Sequence, residues 1–435
     1  MNSDNSEFNR DNDSQGNGMS LRCLSTDFLK KGSNPLFLII IQFKMKDELL
    51  VDLFKAYFSA RKNKRNTFSA LEFELNYEKE LFKLYDELKN GNYEISKCTV
   101  FIVFDPVQRE IIASSFRDRI IHHLIFNYIN PIFEKSFIYD SYSCRKNKGT
   151  HFGINRVNKF CKSCSDNYKK ETYVLKLDIS GYFMNINKII LWQKIEEFLF
   201  KNRKKCNFDF NLTIFLIQKV IFHSYIKDYT IRGSLKDWQG LPKNKSLFFS
   251  KINCGLPIGN LTSQLFSNIY LNDFDHYIKK DLKVRYYGRY VDDFLLFDNN
   301  KIILKDRFIR IKEYLNNNLN LQLNNKKIYL QNINKGVKFL GVIIKPYRVY
   351  IINRIKNNSY NKAINVNFFL KNNYLEKSKD DIILSRINSY LGMLSHYNTF
   401  NLRKKFLTTK FNFIFYSLYK ISDGKNCNYY KIIKI

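Results

Sequence analysis

The stretch Arg285-Tyr-Tyr-Gly-Arg-Tyr290-Val-Asp292-Asp293-Phe-Leu-Leu-Phe297 sets two adjacent carboxylates between two short β-like runs. Its pattern predicts an antiparallel hairpin with Asp292-Asp293 at the tip. Aspartate pairs are common in solvated turns, but the aromatic and aliphatic flanks here bury the hairpin on both sides. A third carboxylate, Asp178, ends another β-like run, Tyr173-Val-Leu-Lys-Leu-Asp178. Carboxylates brought together repel by about 4 kcal/mol per pair at an effective dielectric of roughly 20, so such a cluster calls for a cation.

Charge indicates the kind of partner. Lys and Arg number 72 against 40 Asp and Glu, a net charge of +32. That suits a polyanion, because phosphate contacts supply most non-specific nucleic-acid affinity; solubility and an anionic membrane surface are the plainer readings. Carboxylates at hairpin tips in so basic a chain point to two-metal nucleotidyl transfer. Mg2+ takes hard oxygen ligands, and two ions about 3.5–4 Å apart clamp the attacking and leaving oxygens. The 435 residues, 45% hydrophobic and 16% aromatic, predict a large core in two or three subdomains. Eight scattered cysteines fit a reducing cytoplasm rather than a disulfide framework. Cys161-Lys-Ser-Cys164 has zinc-like spacing but no second pair. The longest apolar run, Leu36–Phe43, is too short to span a bilayer. It follows an acidic, Asn/Ser-rich stretch and makes a poor signal peptide, so no membrane partner is expected. Residues 1–44 read as a disordered or non-native extension, with Met45 at or near the native start.

Helical spacing runs over 68–90 and stops at Asn90-Gly91; a β-like run follows at Cys98–Phe104, broken at Asp105-Pro106. A second helix is expected from Ser115 to Tyr128. Its His122-His123 pair does not face one way on a helix, which favours packing or RNA contact over metal. Residues 136–153 form a basic, Gly-containing loop, and 188–253 a helix followed by a polar stretch. A Gly/Pro loop at 255 opens an apolar helix over Leu265–Ile278. A further helix spans 304–317, β-like runs cover 327–330 and 337–344, and the last ninety residues read as helical and basic.

Taken in order, a strand ending in Asp178, the loop and helix Gly255-Leu-Pro-Ile258-Gly259-Asn-Leu-Thr-Ser-Gln264-Leu-Phe-Ser-Asn-Ile-Tyr-Leu271, the Tyr-x-Asp-Asp hairpin and a later Lys-bearing segment resemble the reverse transcriptases, over roughly Phe68 to Phe406. The chain looks most like the enzymes of diversity-generating retroelements. Arg109-Glu-Ile with Ser115-Phe-Arg-Asp-Arg-Ile-Ile-His-His123, Asp140-Ser-Tyr-Ser-Cys-Arg145 and Ile258-Gly-x-x-x-Ser263-Gln264 carry that closer match. The resemblance implies an α+β right-hand polymerase with fingers, a palm of antiparallel sheet plus helices, and a helical thumb. It implies two Mg2+ ions, with Mn2+ an alternative, held by Asp178, Asp292, Asp293 and the backbone at Ile179. It implies that Phe183 bars a 2′-hydroxyl, that Arg109 stacks on the incoming base and touches its phosphates, and that Lys327 protonates the leaving pyrophosphate. Ile258, Gly259, Gln264 and Arg145 fall in its dNTP and template-binding segments, and Val337-Lys-Phe-Leu-Gly341 resembles a primer grip. The partners implied are an RNA template, a DNA or RNA primer, dNTPs and a small basic accessory protein.

Two departures stand out. Phe104-Asp-Pro-Val-Gln108 lacks the lysine many relatives place before the arginine; Arg145, Lys146 or Lys148 are the candidates to supply that charge. Ile258 stands where most relatives use Gln, which implies error-prone copying, above all opposite template adenine. The domains expected are 45–170 for N-terminal helices and fingers, 171–187 with 255–345 for the palm, 188–254 for an insertion, and 346–435 for thumb and tail. The rivals are a phage-defence or group II intron-like reverse transcriptase, an RNA-dependent RNA polymerase, and a catalytically inactive RNA-binding scaffold.

Overall fold

A computed structural model describes residues 47–434, apart from 63, 65–66, 105–106, 373–379 and 424–429. The expectations for 1–44, for Met45 and for the Asp105-Pro106 break lie outside the described residues.

Four sheets organise the chain. β1 (Cys98–Val103) and β2 (Arg109–Ala113) pair antiparallel, and β1 takes β4 (Tyr229–Ile231) as a parallel neighbour. β3 (Tyr173–Asp178), β5 (Tyr286–Tyr290), β6 (Asp293–Asp298) and β7 (Tyr329–Asn332) form an antiparallel sheet in the order β5-β6-β3-β7. β8 (Val337–Phe339), β9 (Val342–Lys345) and β10 (Arg348–Ile351) make a three-stranded meander, and β11 (Tyr419–Asp423) pairs with β12 (Tyr430–Lys434). The arrangement is the expected α+β right hand, with the four-stranded sheet as palm.

Strand alternation divides the palm sheet between two cores. Leu175, Leu177, Phe294 and Leu296 face the large helical core. Val174, Leu295 and Phe297 face a second core with Ile154, Val157 and Phe160 of the Thr150–Cys164 helix. Each such side chain stabilises the sheet by about 1.5–3 kcal/mol on burial. Lys176 and Asp178 share the parity of Val174, and Asp293 that of Leu295. They therefore sit on the second face, at its end, where the apolar layer gives way to the cleft.

Several expected boundaries move. The single helix over 68–90 is two, Phe68–Leu75 and Tyr77–Lys89, with Asn76 outside the helical basin at φ −132°. The second helix runs Phe116–Glu134, capped by Ser115, whose hydroxyl accepts from the Asp118 amide. The Thr150–Cys164 helix covers the palm sheet and belongs with it rather than with residues 45–170. The insertion 188–254 is split: Lys188–Lys201 and Phe210–Phe222 join the large core, while β4 extends the fingers sheet. β10 pairs with β9, so the meander that follows the palm sheet runs to Ile351, and a long helix starts at Asn353. Three helices from there on pack around Ala363, Val366, Ile387, Leu391, Phe406 and Leu407. The last ninety residues are not all helical, since Arg348–Ile351, Tyr419–Asp423 and Tyr430–Lys434 are strands. No described helix is long and apolar enough to cross a membrane.

Candidate active site

β5 and β6 are joined by a two-residue loop, Val291-Asp292, with Tyr290 opposite Asp293. Val291 has φ 56°, at a position glycine normally fills in such hairpins. A β-branched residue there is strained and needs outside support. Arg289 gives it: its Nη1 donates to the Val291 carbonyl at 2.9 Å. The guanidinium is fully buried and grips Asp275 through Nε at 2.8 Å and Nη2 at 2.7 Å, while Tyr287 donates to the same carboxylate at 2.6 Å.

The β3–β6 register places Asp178 directly across from Asp293, and the Ile179 amide donates to the Asp292 carbonyl at 3.2 Å. The three carboxylates thus meet at one end of the sheet. Asp178 accepts from Lys327 Nζ at 2.8 Å and from Asn324 Nδ2 at 3.3 Å. Asp293 pairs with Lys176 at 2.9 Å through one oxygen, and its other oxygen, Oδ1, is buried without a hydrogen-bond partner. Burial first, then the nearby Asp178 charge, raises Asp292 to about 6. Burial raises Asp293 to about 6 against the pull of Lys176. Among the described residues, no group of three or more His, Cys, Asp or Glu side chains closes around a single metal position. Lys176 and Lys327 carry the counter-charge. The donor set still fits a hard cation: carboxylate oxygens on neighbouring strands, one of them orphaned, with burial making protonation of Asp292 and Asp293 easier.

These residues floor a cleft of about 1480 Å3, walled by Arg109, Gly181, Phe183, Asn244, Lys245, Ile258, Lys327 and the β8–β9 turn at Leu340-Gly341. The structure therefore brings together Asp178, Ile179, Phe183, Arg109, Ile258, Asp292, Asp293 and Lys327. Ile258 is held by its own carbonyl, which accepts from the Ile112 amide at 2.9 Å. Gly259 does not line the cleft; it lets the loop lie against β2, where a Cβ would stand 2.8 Å from the Ile112 carbonyl oxygen. His122 is a buried strut between these elements, bonded to Ser114 Oγ at 3.0 Å and Thr262 Oγ1 at 2.9 Å.

Besides Gly259, the assignments of Arg145, Lys146, Lys148 and Gln264 are corrected. Arg145 does not reach the cleft, because its guanidinium is taken by Glu134 and by the carbonyls of Ile138 and Ser141. Its loop runs along the edge of β5 instead, where Tyr142 N donates to the Arg289 carbonyl at 2.9 Å. Lys148 is bound to the Tyr139 carbonyl, and neither it nor Lys146 lines the cleft. Gln264 is exposed on the Leu261–Tyr270 helix, away from the cleft lining. Cys161 and Cys164 are free and buried, and among the described residues no group of three or more His, Cys, Asp or Glu side chains could hold a metal ion. Sequence reasoning passed over Lys176, Asn324 and the Arg289–Asp275 pair. Only Lys176 left a signal, two residues before Asp178 and so on its face.

A family model described as reverse transcriptase (RNA-dependent DNA polymerase) matches residues 108–344. The chain belongs to the reverse transcriptase family. As a reverse transcriptase it is an RNA-directed DNA polymerase by family. It is 25% identical over 296 residues to Protein YkfC of Escherichia coli (strain K12), a match covering 60% of this chain and 70% of YkfC. Among solved structures it is similar to apo telomerase from Candida tropicalis, with a TM-score of 0.43, 14% identity, and 74% of this chain and 59% of that one covered. Telomerase from Candida albicans, solved with a TWJ fragment of telomeric RNA, gives 0.40 and 13%, with 78% and 60% covered. This reverse transcriptase spans less than two thirds of those telomerase chains.

Proposed function

We propose that this chain copies RNA into DNA in the cleft at the end of the palm sheet, and that it is the error-prone enzyme of a diversity-generating retroelement, working in a reducing cytoplasm. One observation carries the polymerase reading: Asp178 and Asp293 stand opposite each other in register, with Asp292 on the adjoining turn, at the floor of a cleft walled by Arg109 and Phe183. Asp178, Asp292, Asp293 and the Ile179 backbone are the residues that would hold two Mg2+ ions, which when bound clamp the attacking and leaving oxygens of the transfer. The chain's own groups do the rest. Arg109 offers a planar cation for base and phosphate. Phe183, half-buried against Tyr182 at 5.5 Å, closes the space a 2′-hydroxyl would need. Lys327 is more than half exposed, so its ammonium is free to leave Asp178 and hand a proton to pyrophosphate.

Ile258 supports the diversifier reading. It lines the cleft with an apolar side chain that makes no polar contact to a nascent pair, so geometric checking weakens. The template, the primer and the small basic accessory protein follow from the same proposal.

The test is primer extension on a mixed-sequence RNA template with dNTPs and Mg2+, with products sequenced beside an Asp292→Ala/Asp293→Ala control. Synthesis that the control loses, rich in errors at template adenine, is the expected result. Accurate synthesis would remove the diversifier reading and favour a phage-defence or intron-like enzyme. Silence even with a partner protein and cognate RNA would remove the polymerase and favour a scaffold.

A further inference from the structure

Arg109, the first residue of the fingers strand β2, is flanked by two side chains that hold another segment. Arg109 faces the cleft. Its neighbours Gln108 and Glu110 grip the segment 234–250. Gln108 Nε2 donates to the carbonyls of Asp237 at 2.8 Å and Gln239 at 3.1 Å. Glu110 is buried, and its carboxylate accepts from Trp238 Nε1 at 2.8 Å, Ser246 Oγ at 2.7 Å and the Leu247 amide at 2.7 Å. Three donors converging on a buried carboxylate make a firm anchor, since breaking it strands a charge.

The anchor fixes what lies between its contacts. The short turn Lys243–Lys245 is carried against Gly181, at the end of β3: a Cβ on Gly181 would lie 2.6 Å from the Asn244 carbonyl oxygen. Asn244 and Lys245 thereby enter the cleft wall beside Gly181 and Phe183. Two ammonium groups on the cleft floor rest on carboxylates, Lys176 on Asp293 and Lys327 on Asp178. Lys245 has no carboxylate partner among the described residues and is exposed to the cleft. Lys243, on the same turn, is turned to the Phe249 ring at 5.5 Å and does not line the cleft.

We infer that Lys245 is a triphosphate-binding residue of this site, supplied by the insertion and held in place by Glu110. The inference rests on the nucleotide-polymerising reading of the cleft. It makes the incoming nucleotide's anionic tail lie between Arg109 on β2 and Lys245 on the opposing turn, two cations that line the cleft without an ion pair among the described residues. A flexible ammonium meets phosphate as a point charge, so its loss weakens binding more than chemistry.

The test uses the full chain in two assays: calorimetric titration with dTTP and Mg2+, and dTTP incorporation on an adenine-only RNA template with a DNA primer. Lys245→Ala is expected to raise Kd and KM about tenfold with kcat within about twofold. Lys245→Arg should recover most of the loss, and Lys243→Ala should change neither. Unaltered dTTP binding in Lys245→Ala would overturn the inference, and undiminished wild-type extension would then leave the polymerase reading standing. Weakened binding in Lys245→Ala beside a wild type that extends no primer would keep the triphosphate site and remove the polymerase. No dTTP binding by the wild type would overturn the inference as well.

Discussion

Asp275 and Arg289 are both fully buried, so removing either leaves the other as an uncompensated charge. Asp275→Ala is expected to destabilise the protein by about 3–5 kcal/mol, read by urea denaturation. It should also lower activity, because Arg289 then loses the partner that aims it at the Val291 carbonyl. At the hairpin tip, Asp292 and Asp293 carry pKa values raised to about 6 from an ordinary value of about 3.9. A raised carboxylate costs nothing below about pH 4, where both states are protonated. The cost grows between about pH 4 and 6 and is complete above that. A cation that binds the ionised carboxylates relieves it. Mg2+ should therefore raise the melting temperature by several degrees at pH 8 and by little at pH 5; an Asp292→Ala/Asp293→Ala protein should show neither shift. Equal Mg2+ effects at both pH values would contradict this account.

At the scale of elements, the fingers and palm are stitched by His122, whose ring burial holds neutral with its pKa pushed down to about 3. The unfolded chain takes up a proton below about pH 6.5 that the folded ring refuses. Stability is thus full above about 6.5 and lost as pH falls toward 3, at up to about 1.4 kcal/mol per pH unit. His122→Asn should flatten the fall in unfolding free energy between pH 6.5 and 5 by one proton's worth, leaving the part due to His123, which burial lowers to about 4. The elements also show what a sequence can and cannot convey. The carboxylates, Phe183, Arg109 and Ile258 were legible because each sits in a local pattern whose chemistry depends on its immediate neighbours. Arg145 was misplaced because its loop looks like any basic glycine loop, and only its three acceptors, Glu134 at a helix end and the Ile138 and Ser141 carbonyls of its own loop, fix where it points. Glu110 was invisible as an anchor, since its donors lie more than 120 residues away. The strand Arg348–Ile351 was missed for a similar reason: nothing local to it announces that it pairs back onto β9.

For the whole molecule, the net charge is +32, and cations from along the chain line the cleft, Arg109, Lys338 and Arg354 among them. Binding of an RNA–DNA duplex should release many counterions. Affinity measured by fluorescence anisotropy is expected to fall on the order of a thousandfold between about 50 and 200 mM salt. A flat salt response would mean that the cleft does not hold the duplex backbone.

The thumb is joined to the palm through very little chain. A single residue, Ile352, separates β10 from the Asn353–Asn372 helix, and its amide donates to the Gly341 carbonyl at 3.2 Å. Gly341 is itself part of the cleft wall. A second tie lies nearby, where His151 stacks on His396 at 3.8 Å and bonds the Tyr397 hydroxyl at 3.2 Å. A joint this short and this tied works as a torsion spring rather than a swivel. A swing of the thumb would be felt as twist at the cleft, and a duplex moving through the cleft would exert torque on the thumb.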